Sequence, residues 1–186
     1  MLIFISPSKT FNDDIVSGKP TLFKDKTQEL FNQIKNYSKA ELKEKFKLSD
    51  QLVDEVYNYY HEINTPSMAL YRYGGVLYKA LDAKTLSFND NRLFILSGFY
   101  GLLEHDHEII KYRIDYTHRM LGNLYHFWKD SIHTYINQID DIKIDLTSKE
   151  FEVLIPEPKI RIDFTLSDKN ISTVLLNKCE VLWLVH

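Results

Sequence analysis

Residues 2–5, Leu-Ile-Phe-Ile, form an unbroken apolar run that stops at Ser6 and Pro7. That is the pattern of a strand buried on both faces and feeding a loop. Beyond it the period changes: Phe23, Leu30, Phe31 and Ile34 fall on one face of a helix predicted over residues 24–36. Ser38 with Glu41 three residues on has the spacing of a capping box, which predicts a short helix ending near Phe46. Ser49 repeats that arrangement ahead of a third helix over about residues 50–63, which turns Leu52, Val56, Tyr59, Tyr60 and Ile63 inward. The third helix stops before Thr65 and Pro66, and Lys47 and Leu48 join the last two helices. A second buried strand is predicted over residues 92–97, running into Gly98 and Gly101, and a long helix over residues 121–139. Later strands are expected over residues 142–146, 159–164 and 171–176, separated by Pro156, Pro158 and a polar turn at Ser167, Asp168 and Asn170. Strands interleaved with helices give an α/β (α+β) fold, a mixed sheet flanked by helices.

The length of 186 residues fits one compact domain. With 44% hydrophobic and 26% charged residues the composition is that of a chain folded almost throughout. The lone cysteine, Cys179, excludes an intramolecular disulfide framework. The first residues lack the basic lead and small-residue cleavage site of a signal peptide, so the chain reads as cytoplasmic with no membrane span. Net charge is −3, so contact with nucleic acid has to come from a local basic patch.

Ser6, Ser8, Lys9 and Thr10 sit at the exit of the first strand, where hydroxyls and an ammonium can converge on a phosphate. The alternative is a capped turn with a solvated lysine, since the glycines of a P-loop are missing. Ser97, Gly98, Tyr100 and Gly101, at the second strand exit, read either as a close approach to a ligand or as a tight turn. The paired short helices carry Lys35, Lys39, Lys43, Lys45 and Lys47 before or at their connection, and Ser49 opens the second with amides able to meet a phosphate. A lysine-rich helix is also an ordinary solvated face, and Asp50, Asp54 and Glu55 follow at once. Arg113, between Tyr112 and Tyr116, can clamp a phosphate or pack with a carboxylate such as Asp115. His105, Asp106 and His107 fit no metal-ligand spacing and read as a polar loop. His126 and His133 lie among apolar neighbours that suggest ordinary packing. No serine or cysteine has a base beside it in the pattern of an activated nucleophile, so no catalytic residue, metal or cofactor is assigned.

The segments ISPSKTF, ALYRYGGVLYKALDAKTL, ILSGFYGLL, the Tyr112–Arg113 pair, NLYHFW and LTSKEF, in this order, resemble the YaaA family over nearly all of residues 1–155. The resemblance implies a YaaA-type α/β fold unlike the common superfolds, with a helix-hairpin-helix element on residues 38–60 and a positively charged cleft. Matching positions place Ser6, Lys9, Thr10 and Arg113 in the cleft. The family function implied is protection during hydrogen peroxide stress, with lower unincorporated iron and DNA binding. The corresponding DNA contacts would be Lys39, Lys43, Lys45, Lys47 and Ser49, on duplex DNA without strong sequence preference. Two positions depart from the family pattern: Glu104 stands where an arginine is common, and Val76 where an aspartate is usual.

The end of the chain departs further, because a basic Lys-Ala-Arg-Gly segment and a helix are expected there. Codons for residues 178–185, read from the third base of the Lys178 codon, can encode Met-Arg-Gly-Ala-Met-Ala-Arg. An out-of-frame tail after about Lys178 and a C-terminally truncated domain are therefore expected, which re-sequencing the gene checks. The competing expectation is a terminal strand at Val181–Val185. Besides sequence-tolerant DNA binding, two other functions are weighed: an enzyme or binder for a phosphorylated or nucleotide-like molecule at the two strand-exit loops, and direct iron sequestration by the histidine loop.

Overall fold

In the computed structural model, which describes residues 1–88 and 90–163, the apolar run Leu2–Ile5 is β1, the central strand of a five-stranded sheet. All four of its residues are fully buried, which is why the run is continuous rather than alternating. β1 pairs in parallel with β3 (Arg92–Ser97) on one side, Leu2 opposite Arg92 and Ile5 opposite Ile95. On the other side it pairs in parallel with β6 (Lys143–Asp145), Leu2 opposite Lys143. β4 (Gly101–Glu104) returns antiparallel to β3, and β7 (Ile160–Arg161) runs parallel to β6, giving the order β4-β3-β1-β6-β7. Phe4 and Phe94, register partners on adjacent strands, stack at 5.3 Å. A separate small ladder joins β2 (Ser67–Met68) to β5 (Glu108–Ile109).

The sheet is flanked by helices. α1 (Lys24–Lys35) buries Leu30 and Ile34, and α2 (Lys39–Phe46) starts at Ser38 with both arms of the predicted capping box formed. α3 (Asp50–His61) buries Val53, Val56 and Tyr60. Its predicted inner face is corrected at one position: Ile63 lies beyond the helix end and is 97% exposed. Ser49 holds the N-cap position without a side-chain capping bond. Two short helices, α4 (Ala69–Arg72) and α5 (Val76–Leu81), have too few turns to show a period. The predicted long helix is α6 (Leu124–Ile136), which starts three residues late because Gly122, at φ 81°, ends a 3-10 turn and Asn123 caps the new helix.

Between β1 and β6 the chain changes direction across the sheet: the first crossover runs from β1 to β3, and the second comes back past β1 to β6. In an open parallel sheet that reversal leaves a crevice at the carboxyl ends of the two strands, where ligands commonly bind. Among the described residues no helix is long and apolar enough to cross a membrane. The strand expected over residues 171–176 and the tail after Lys178 lie outside the described residues, as does the end of the strand expected over 159–164.

Candidate functional site

The crevice holds a cavity of about 190 Å³. Its walls are the loop leaving β1 (Ser6 to Lys9), the segment from Tyr112 to His118, and Ser148, Glu150 and Phe151 after β6. Ser6 ties two strand ends together, since the Ser148 N–H donates to Ser6 Oγ at 2.9 Å and the two hydroxyls stand 3.2 Å apart. Ser8 Oγ accepts from the Thr10 N–H at 3.1 Å, and Gly75 passes close enough that a β-carbon there would meet Ser8 Oγ at 2.5 Å. Lys9 contributes twice. Its ammonium is 2.6 Å from Asp115 Oδ2, and its carbonyl accepts from Arg113 Nη1 at 3.1 Å. The structure thus brings Ser6, Lys9 and Arg113 to one cavity, with Thr10 at its edge through Ser8.

The Tyr112–His118 wall is fixed from inside the protein. Tyr112 is buried, its hydroxyl 2.8 Å from Ser97 Oγ and 2.6 Å from the Tyr73 hydroxyl. Burial pushes the Tyr112 phenol up to about 12, although those two hydrogen bonds pull it back. The Arg113 N–H donates to the Tyr60 hydroxyl of α3 at 3.0 Å. Tyr116 donates its hydroxyl to the Ser97 carbonyl. Ser97 and its loop are therefore occupied within the core: Ser97 Oγ also accepts from the Phe99 and Tyr100 N–H groups, and Gly98 lies against the Asp115 backbone. The expected second wall at Ser97–Gly101 is replaced by residues 112–118, because the glycines there make room for protein rather than for a ligand.

Arg113 does not pair with Asp115, the partner its sequence position suggested; Lys9 does. Burial alone raises the Asp115 carboxyl, but the hydrogen bonds from Lys9 and Thr117 outweigh it and hold the group down at about 2. A carboxyl depressed in the folded state contributes stability that is complete above its ordinary value near 4 and is lost as pH falls through about 2. Acid unfolding followed by far-UV circular dichroism is therefore expected to begin at higher pH in the wild type relative to its own neutral-pH stability than in Asp115→Asn. The difference between the two curves should be confined to pH below about 4. His118 is lowered by burial, though Asp115 opposes the shift. Its Nδ1 accepts from the Asp115 N–H at 2.9 Å, so it carries no proton, and the carboxylate 3.5 Å from that nitrogen does not make an ion pair with it.

The paired helices form as expected, and their lysines divide into two groups. Lys39 reaches Asp54 at 2.6 Å and Lys43 pairs with Asp50, both on α3. Lys45 lies over the Tyr37 ring at 5.0 Å, and Lys47 closes α2 in the left-handed conformation at φ 52°. Among the described residues neither of these two has a carboxylate partner within ion-pair distance. A non-glycine residue in that conformation costs about 1–2 kcal/mol, so the turn keeps the geometry that a glycine would otherwise supply. Phe46, between these lysines, packs edge-on against His118 at 4.8 Å, which joins α2 to the cavity wall.

Local sequence pattern does not mark Thr117, His118, Ser148 or Glu150 as cavity residues. Ser148 and Glu150 lie inside the LTSKEF segment that carries the resemblance, but nothing in the local pattern sets Thr117 apart. The histidine loop is not the polar loop expected: His107 is 4% exposed and its Nδ1 accepts from the Glu104 N–H, while His105 stacks on Phe88 at 3.9 Å. Among the described residues no group of three or more His, Cys, Asp or Glu is placed to hold a metal.

The sequence pattern of the family described as peroxide stress protein YaaA matches residues 1–176. The chain is 35% identical to a UPF0246 protein of Finegoldia magna, over 81% of this chain and 64% of that protein. It is 30% identical to a UPF0246 protein of Francisella philomiragia, over 86% of this chain and 72% of that protein. The chain thus spans less than two thirds of the length of the first of these relatives.

Proposed function

The chain belongs to the YaaA peroxide stress protein family, and from that premise we propose that it acts in the cytoplasm by holding duplex DNA through its phosphates, with little sequence preference. The observation that carries this reading is the junction of cavity and hairpin. Phe46 of α2 packs on His118, and Tyr60 of α3 accepts from the Arg113 N–H, so the segment that carries Arg113 lies against the helices that carry Lys45 and Lys47. Phosphate contacts from such cations position a duplex without reading its bases. The accompanying limitation of unincorporated iron is read from the family resemblance and is assigned to no residue. A second reading, a phosphorylated or nucleotide-like small molecule in the cavity, draws on the enclosure of about 190 Å³ at the sheet's reversal point.

Fluorescence anisotropy of a labelled duplex across a salt series tests the first reading. Affinity is expected to fall steeply with salt, by a slope of about −0.9 for each phosphate contacted. The Lys43, Lys45, Lys47 triple alanine variant should flatten that slope by about 2, because Lys43 is already engaged by Asp50. If neither protein binds at low salt, the DNA reading is wrong and the small-molecule reading is the better account.

A further inference from the structure

The cavity contains an anion of its own. Asp115 is only 21% exposed, and each of its carboxylate oxygens is taken by a different side of the crevice. Oδ2 receives the Lys9 ammonium at 2.6 Å; Oδ1 receives the Thr117 N–H at 2.9 Å and the Thr117 hydroxyl. Lys9 itself is 68% exposed and supported at its carbonyl by Arg113, so its ammonium can leave the carboxylate without disturbing the core. An ammonium, an N–H and a hydroxyl converging on two oxygens make the donor set that phosphate oxygens take up.

We infer that Lys9 and Thr117 form a phosphate seat, and that the Asp115 carboxylate occupies it until a phosphate displaces it. Binding is an exchange of one anion for another: Asp115 swings out, and the phosphate inherits the Lys9 ammonium and the Thr117 N–H and hydroxyl. Asp115 thereby sets the affinity of the cleft, and Thr117 is a binding residue. The inference rests on the reading of the cleft as an anion site and extends it to either source of phosphate, a duplex backbone or a small molecule.

The seat is tested with inorganic phosphate, followed by the chemical shift of the Thr117 amide. In Asp115→Asn the asparagine carbonyl can keep the Thr117 N–H bond, so the loop retains its fold, which far-UV circular dichroism verifies. Phosphate should shift the Thr117 amide saturably in both proteins, about five- to thirtyfold more tightly in Asp115→Asn than in the wild type. Thr117→Val, which keeps the N–H and loses the hydroxyl, should cut the gain about three- to tenfold when combined with Asp115→Asn. Glu150→Gln removes the same charge from the same cavity without touching Lys9, and should give a gain of less than about threefold. A folded Asp115→Asn whose Thr117 amide ignores phosphate overturns the seat, as does an equal gain from Glu150→Gln, which would reduce the effect to net charge. Anisotropy with labelled duplex separates the two levels. Phosphate binding at Thr117 without duplex binding refutes the DNA reading alone, whereas duplex binding by a protein whose Thr117 amide ignores phosphate refutes the seat alone.

Discussion

Replacing Trp128 by alanine is expected to lower the unfolding free energy by about 3–5 kcal/mol, the range for deleting a large aromatic side chain from a packed core. Trp128 is 0% exposed, and its surroundings leave little scope for collapse. Gly101, at φ 73°, runs so close beneath the indole that a β-carbon there would lie 2.5 Å from the ring. Phe23 and Phe127 close other sides at 5.8 and 4.9 Å. The indole N–H donates to the Gly98 carbonyl at 2.9 Å, so α6 is bolted to the turn between β3 and β4. That turn backs directly onto Asp115, because Gly98 packs against the Asp115 backbone. The measurement is urea denaturation followed by far-UV circular dichroism. Trp128→Phe should restore most of the packing and retain a loss of about 1–3 kcal/mol from the unpaired carbonyl. A loss below about 1 kcal/mol for the alanine variant would show that the indole is not a keystone of this turn.

The second large effect is functional. The double variant Lys9→Ala, Arg113→Ala is expected to weaken duplex binding by about ten- to a hundredfold at moderate salt and to flatten the salt slope by about 2. Both cations serve the same short stretch of loop: Arg113 reaches across to the Lys9 carbonyl, and Lys9 reaches back to Asp115. Neither guanidinium nor ammonium is buried in the core, but Lys9 is the ion-pair partner of Asp115, so stability is measured alongside by urea denaturation and binding is compared where both proteins are fully folded. If the double variant binds duplex as the wild type does while the hairpin variant fails, DNA contacts the hairpin alone, and the cavity is left to a small phosphate-bearing molecule. If both variants lose binding in parallel, the connection through Phe46, His118, Tyr60 and Arg113 unites them as one surface.

Local signals in the sequence located the main elements because their cause is local. β1 was legible since four consecutive apolar residues can be satisfied only by burial on both faces. The boundary between α1 and α2 was legible because Ser38 and Glu41 satisfy each other's backbone donors within one turn. The first residues of the cleft followed from chain order, as Ser6 to Thr10 must emerge wherever β1 ends. A helix read over residues 121–139 starts three residues too early and ends three too late, because apolar period alone registers neither the positive φ at Gly122 nor the C-cap at Asn137. Ile63 falls on the same apolar period as the inner face, but α3 ends at His61, before it.

By itself, then, the sequence determined the class of fold, the positions of the longer helices and buried strands, the family, and the basic residues available to a phosphate. Tertiary structure decided which of those residues meet. The order β4-β3-β1-β6-β7 put the ends of β1 and β6 side by side and so made Ser148 a neighbour of Ser6, 142 positions away. It gave Lys9 rather than Arg113 to Asp115, turned the Ser97–Gly101 loop into packing, and set Phe46 against His118. The physical reason is range. Capping, turns and periodic burial are settled within a few residues, whereas an ion pair or a cavity wall depends on which strands lie adjacent, and strand order follows from burial summed over the whole chain.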